Sequence, residues 1–471
     1  MDGHPLTIAA AADGLRAGTV TAVELAMESL RRIAATNDEL GAFVTWMEEP
    51  ALAAAAQADA DFACGIDRHP LQGIPLAVKD IISTRDAPTT ANSRVLDPSW
   101  GGGVDAPVVA RLREVGGVVV GKSTTSEFAA GLPDPTKGFP IPRNPWNTDH
   151  SASGSSSGTG IAVAAGLVLG GLGTDTGGSV RGPASANGTT GLKVTFGRVP
   201  KNGVVPLGYT LDSVGPLARS ALDCALMLEV MAGFDAGDPD AIDVPVPTYS
   251  AALDGDVGGL RIGLPMPYFF DDPGPSPETR AAVLAVADAL AGEGAVLVET
   301  EIPYAAAAND ANTLTWMAEG YAYHRNDLVA RWETYGASFR DTLGRAAFLD
   351  GPDYVQAQRV RRAFRAGLAA VFETVDVLLM PVSSTPSPRA DEMDMMGFLW
   401  SHPGYTSQWN LAGVPGAAAP CGFGTTGLPL SFQVVGPAFS EATVLKVVDA
   451  YQRTTDWHLR VPPVGALVAT A

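Results

Sequence analysis

Between Ser151 and Ser185 two loops of small residues bracket one apolar run: SASGSSSGTG, then IAVAAGLVLGGLG, then GTDTGGSVRGPAS. Most side chains of both loops are too small to build a core. Each must therefore be a turn of backbone lying against something else, with the apolar run between them buried. The run reads as an Ala-rich helix and a short strand, and the second loop feeds a second helix. Glycines at such a turn let the chain approach another group closely, and a helix start leaves N–H donors unpaired. Loop, helix, strand, loop, helix is a unit of α/β architecture.

The rest of the chain extends the pattern. TAVELAMESLRRIAATND predicts a helix opened by a capping box of Thr21 and Glu24, with Val23, Met27, Leu30 and Ile33 on one face. GIPLAVKDII reads as a short apolar strand with one lysine in it, and VDAPVVARLREVGGVVVGKST as helix, turn and strand. LRIGLPM, PETRAAVLAVADALAGEG and AVLVETEIP read as strand, helix and strand, and DVLLMPV as a buried strand. LPLSFQVVG and EATVLKVVDAYQRTTDWH read as strand and helix, with Val444, Val447, Val448 and Tyr451 facing one way. Strands alternating with helices imply an α/β/α sandwich: a central mixed, mainly parallel sheet covered by helices on both faces. No repeat or linker interrupts the sequence, so one domain over residues 1–471 is expected. Within it lie an N-terminal helical segment to about residue 65, a catalytic core over about 66–235, and a pocket and lid region over about 300–415.

Gly116–Ser123, GGVVVGKS, has the spacing of a phosphate-binding loop. Such a loop needs glycine-rich backbone between a strand and a helix. Here three stiff valines stand inside the motif, and the segment before it is helical. The valines are read as a core strand, with Lys122 leaving it for the surface and no nucleotide bound.

The chain carries 51 acidic and 31 basic residues, a formal charge of −20. A field of that sign repels phosphate backbones and anionic lipid, so neither nucleic acid nor membrane is an expected partner. The longest apolar run is too short and too glycine-rich to cross a bilayer. The N-terminus lacks a basic start followed by an apolar stretch, and the three cysteines, Cys64, Cys224 and Cys421, are far apart. Cytoplasmic placement is expected, with no disulfide framework, no metal and no cofactor.

The serine loops are the candidate reactive centre. The first carries Ser153, Ser155, Ser156 and Ser157, and the second carries Ser179. A serine on a tight turn beside free N–H groups suits nucleophilic attack on a carbonyl and stabilisation of the resulting oxyanion. It needs a base. None of the six histidines has a fitting context; His150, nearest the loop, lies in the polar run NTDHSAS. Lys79, at the end of IPLAV, is the other candidate, because a buried lysine gives up its proton more readily. Pairing with Asp80 or exposure to solvent is the plainer account of the same residue.

At these residues the sequence resembles the amidase signature family. GIPLAVKD is similar to the segment bearing that family's lysine, SGSSSGTGIAVAAG to its serine loop and GTDTGGSVRGPAS to its nucleophile loop. GLKVTFGRVPKNGVVP, LDSVGPLARS, NLAGVPGAAAPCGF and GLPLSFQVVG match further stretches, so the likeness runs from about Thr21 to His458. The resemblance implies a Ser, cis-Ser, Lys triad: Ser179 as nucleophile, Ser155 after a cis peptide bond as proton bridge, and Lys79 as base. It implies an oxyanion hole of backbone N–H groups from Thr176, Gly177, Gly178 and Ser179, supporting roles for Asp175 and Arg181, and substrate contacts near Ala130 and Gly131. A Gly-Lys-Ser/Thr run after a core strand is also usual there, without a nucleotide role. Ser153 and Ser157 depart from the family, which usually has glycine at both places.

The implied activity is hydrolysis of a carbonyl C–N bond in a small-molecule amide or carbamate through an acyl-enzyme, with esters as side substrates, by a monomer or homodimer. The alternative is the catalytic A-type subunit of a tRNA-dependent amidotransferase, releasing ammonia from glutamine. MDMMGFLWSHPGYTSQW, rich in Met, Phe and Trp, is expected to form an apolar lid or packed core.

Overall fold

The computed structural model describes residues 6–272, 274–395 and 404–463. Eleven strands form one sheet: β1 Phe43–Trp46, β2 Pro75–Lys79, β3 Val118–Ser123, β4 Gly170–Asp175, β5 Thr190–Lys193, β6 Ser213–Ala218, β7 Arg261–Pro265, β8 Val296–Thr300, β9 Val377–Pro381, β10 Gly416–Phe423 and β11 Pro429–Val435. Their order is β1-β3-β2-β4-β6-β5-β10-β11-β9-β7-β8. In β2, β3, β4, β6, β9 and β11 every residue is buried, so both faces are covered there. The edge strands β1 and β8 are partly exposed. Among the described residues no helix is long and apolar enough to cross a membrane.

The sheet is mixed, as the alternating pattern implies, but parallel pairing is confined to β3–β2–β4 and β9–β7–β8. The other six pairings are antiparallel. Connection length explains one of them: β10 and β11 are joined by five residues, Gly424–Leu428, which suffices for a hairpin and not for a parallel crossover. The helix Ala22–Leu40 begins with the expected Thr21–Glu24 capping box. Its buried face, however, runs through Leu25, Ala26, Leu30 and Ile33, while Met27 is 57% exposed. The helix Glu441–Thr454 buries Val444, Val447, Val448 and Tyr451 as expected.

Lys122 does not reach the surface. It lies inside β3, fully buried, with Nζ 3.2 Å from Asp80 Oδ1. The same ammonium donates to the Ile82 carbonyl at 2.7 Å and to Thr89 Oγ1 at 2.8 Å. The charge is thus neutralised and its donors are used within the protein, and Asp80 is taken up by Lys122 instead of Lys79. Lys122→Met would leave Asp80 as an uncompensated buried carboxylate. It is expected to cost about 3–5 kcal/mol in a denaturant titration at neutral pH; a loss under about 1 kcal/mol would show that the pair does not hold β2 to β3.

Candidate active site

Lys79 ends β2, and β4 runs parallel beside it with Val78 opposite Leu172. Both carboxyl ends therefore open at one edge of the sheet, where crevices of parallel strands hold ligands. Lys79 is fully buried. Its Nζ lies 2.7 Å from Ser155 Oγ and 2.8 Å from Thr174 Oγ1 on β4. Burial pushes the amine down to about 7, against the pull of the Asp175 and Asp212 carboxylates. A lysine so placed exchanges its proton near neutrality.

The peptide bond between Gly154 and Ser155 is cis. The next residue ties this loop to its neighbours. The Ser156 N–H donates to the Ser179 carbonyl at 3.2 Å, and its hydroxyl donates to the Thr174 carbonyl and accepts from the Thr174 N–H, both at 3.2 Å. This close approach requires glycine at 173, because Ser156 Oγ lies 2.8 Å from where a Cβ would stand. The two extra serines have local partners. Ser157 Oγ donates to the Ser153 carbonyl at 2.7 Å, closing the first turn of the helix Ser157–Ala164. Ser153 has φ +58°, a left-handed conformation that glycine adopts more easily, and its Oγ faces Gly182.

Asp175 organises the nucleophile loop. Its carboxylate accepts N–H bonds from Gly178 at 2.7 Å, Val180 at 3.1 Å and Arg181 at 3.4 Å, and meets the Arg181 guanidinium at 3.0 Å. Arg181 also reaches Gln433 at 3.1 Å and Asn410 at 2.7 Å. Burial alone would raise the Asp175 carboxyl; the Arg181 charge and these hydrogen bonds hold it well below the usual carboxylate range. One expected oxyanion donor is corrected here. The Gly178 N–H is committed to Asp175, three residues back, so it does not point at a carbonyl. Among the described residues the N–H groups of Gly177 and Ser179 make no hydrogen bond. Gly178 has φ +134°, and Thr406 Oγ1 occupies the place of a Cβ, so only glycine fits. The Thr176 hydroxyl donates to Asp212 at 2.6 Å, and Ser179 is partly exposed at the end of the turn.

His150 is elsewhere occupied, its Nδ1 2.8 Å from the Ser387 carbonyl. Ala130 and Gly131 are buried; Gly131, φ +79°, turns its open side to the backbone of Ser338 and Phe339. Their loop is anchored by Glu127, which accepts from the Ser93 hydroxyl at 2.5 Å and the Gly336 N–H at 2.7 Å. Of the apolar stretch MDMMGFLWSHPGYTSQW, residues 396–403 lie outside the described residues. Beyond them Tyr405 and Trp409 pack on Phe269 as core, while Thr406 donates to the Gly177 carbonyl at 2.6 Å. Thr174, Asp212, Asn312 and Asn410 also surround the site. Thr174, Asp212 and Asn410 lie in stretches whose family likeness was visible; Asn312 sits in a helix that carries no distinctive motif.

A family model described as Amidase matches residues 24–445. A protein of Roseiflexus sp. (strain RS-1), named as the A-type subunit of a Glutamyl-tRNA(Gln) amidotransferase, is 42% identical over 98% of each chain. A solved structure from a vestigial complex, described as revealing the evolutionary origins of an s-triazine catabolic enzyme, superposes with TM-score 0.88 at 31% identity, covering 95% of this chain and 98% of its own. The native peptide amidase of Stenotrophomonas maltophilia superposes with TM-score 0.82 at 30% identity, covering 98% and 99%. These relatives overturn the expectation of a monomer or homodimer confined to free small molecules with no nucleic acid: the protein matched end to end is one subunit of an enzyme, and that enzyme is named for a tRNA. The exclusion of nucleic acid rested on net charge, which is a sum over one chain and does not bear on what a neighbouring protein in an assembly holds.

Proposed function

The chain belongs to the amidase family and is an enzyme of carbonyl C–N bonds; from that premise we propose that it cleaves an amide through an acyl-enzyme on Ser179, as the A-type subunit that frees ammonia from glutamine for a tRNA-dependent amidotransferase. The chemistry is supported above all by the buried Lys79 amine at 2.7 Å from Ser155. With Lys79 neutral, one N–H stays on Thr174 and the lone pair faces Ser155. Ser155 gives its proton to Lys79 and takes one from Ser179, whose Oγ attacks the amide carbon. The N–H groups of Gly177 and Ser179 hold the oxyanion. Ser155 passes its proton to the departing nitrogen and regains one from Lys79, the C–N bond breaks, and ammonia leaves with Lys79 neutral again. Water then resolves the ester by the same route, giving glutamate. Asp175 and Arg181 keep the turn in shape. The substrate and the assembly are supported by the relative matched over 98% of both chains.

A second reading, hydrolysis of an amide or carbamate without charged ends, is favoured by one observation. Among the described residues, the side chains nearest the open sides of Gly177 and Gly178 are Asn312, Ser407 and Thr406, which are uncharged. Free glutamine has an ammonium and a carboxylate to be met. Ammonia release from glutamine and from a panel of neutral amides separates the two, with Ser179→Ala as control. Release from glutamine that disappears in the variant supports the first reading; turnover of neutral amides alone replaces it with the second.

A further inference from the structure

The helix Ala305–Arg331 spaces Asn309, Asn312 and Trp316 for one face and sets Asn312 against the nucleophile turn. Asn312 is 1% exposed. Its Nδ2 donates to the Thr176 carbonyl at 3.3 Å, which can only accept and so fixes which end of the carboxamide is oxygen. The other end, Oδ1, accepts no hydrogen bond from the described residues. It lies 3.2 Å from where a Cβ on Gly177 would stand. One turn earlier, by contrast, Asn309 Oδ1 accepts from the Ser407 hydroxyl at 2.6 Å. A buried acceptor without a donor costs free energy, and such groups call for a ligand or a function.

We propose that Asn312 Oδ1 accepts the N–H of the scissile amide, making Asn312 a specificity-determining residue that favours amides over esters. The proposal rests on the acyl-enzyme reading above. When Ser179 adds to an amide, the nitrogen becomes pyramidal and must turn its lone pair toward the proton on Ser155. Its N–H is then directed away from Ser155 and needs an acceptor. Gly177 supplies an N–H for the oxyanion, and the Asn312 oxygen beside Gly177 is an acceptor at the same turn. The oxygen of an ester has no hydrogen to offer and gains nothing from Asn312.

The test uses the full chain with a matched amide and ester of one acyl group: glutamine and glutamate γ-methyl ester, or benzamide and methyl benzoate under the second reading. For Asn312→Ala, and for the near-isosteric Asn312→Leu should alanine disturb folding, kcat/KM for the amide is expected to fall about tenfold while that for the ester changes less than about twofold. Equal losses on both substrates, or no loss on the amide, overturn the proposal. If the wild type turns over neither, or Ser179→Ala turns over both as fast as the wild type, the acyl-enzyme reading itself falls and takes this one with it.

Discussion

Ser179→Ala is expected to lower amide turnover by about four decades or more while leaving the fold intact. The hydroxyl is the only group proposed to bond to the substrate carbon, and the turn that carries it is held by other residues. Asp175, Arg181, Gln433 and Asn410 form the buried network under it, and the Ser179 carbonyl, which the variant keeps, receives the Ser156 N–H. A melting temperature within a few degrees of wild type should therefore accompany the loss. Groups acting as one relay are not additive, so Ser179→Ala combined with Lys79→Ala should be no worse than Ser179→Ala alone, to within about threefold. Turnover above about a tenth of wild type in Ser179→Ala would assign the nucleophile elsewhere. A double variant worse by the product of the single losses would mean that Lys79 acts independently of Ser179.

The reactive loops were legible because their composition leaves little choice. A run such as TGGSV between a strand and a helix can only be a turn, and a lysine closing an apolar strand next to it is conspicuous. The same short-range reading failed where partners come from distant sequence. Nothing local shows that Asp80 belongs to Lys122, forty-two residues on, and not to its neighbour Lys79; only the parallel pairing of β2 with β3 decides it. The antiparallel half of the sheet was hidden for a similar reason, since β5 and β10 pair across more than two hundred positions. The commitment of the Gly178 N–H to Asp175 lies at finer resolution than a motif. Glycine at 178 was attributed to oxyanion binding, whereas its φ of +134° and the neighbouring Thr406 account for it as backbone geometry.

Lys79→Met should abolish acylation and yet stabilise the protein near neutral pH. The two effects have one cause. Burial lowers the Lys79 amine from its ordinary value to about 7. The neutral form is the base, so kcat/KM of the wild type should rise with pH through about 7 and level off above it, and Lys79→Met should be inactive throughout, down about four decades. Stability follows from proton counting. Between about 7 and about 10.4 an unfolded lysine holds a proton that the folded one has released, so folding becomes more favourable as pH rises through that window. Below about 7 both forms are protonated, and the full cost of a buried ammonium is present. Methionine has nearly the same shape and no charge, so the variant should exceed wild type by a few kcal/mol, on the order of 2–4, near pH 6, with the gain shrinking toward pH 10. Lys193 is also buried and held down to about 7, and it tilts the stability of both proteins alike. The difference between variant and wild type removes its contribution, so that difference measured by denaturant titration at several pH values is the quantity to follow. A variant less stable than wild type near pH 6, or an activity profile flat from about pH 5 to 9, would mean that the Lys79 ammonium is well solvated or well paired in the folded state, and a base of that kind could not start the relay.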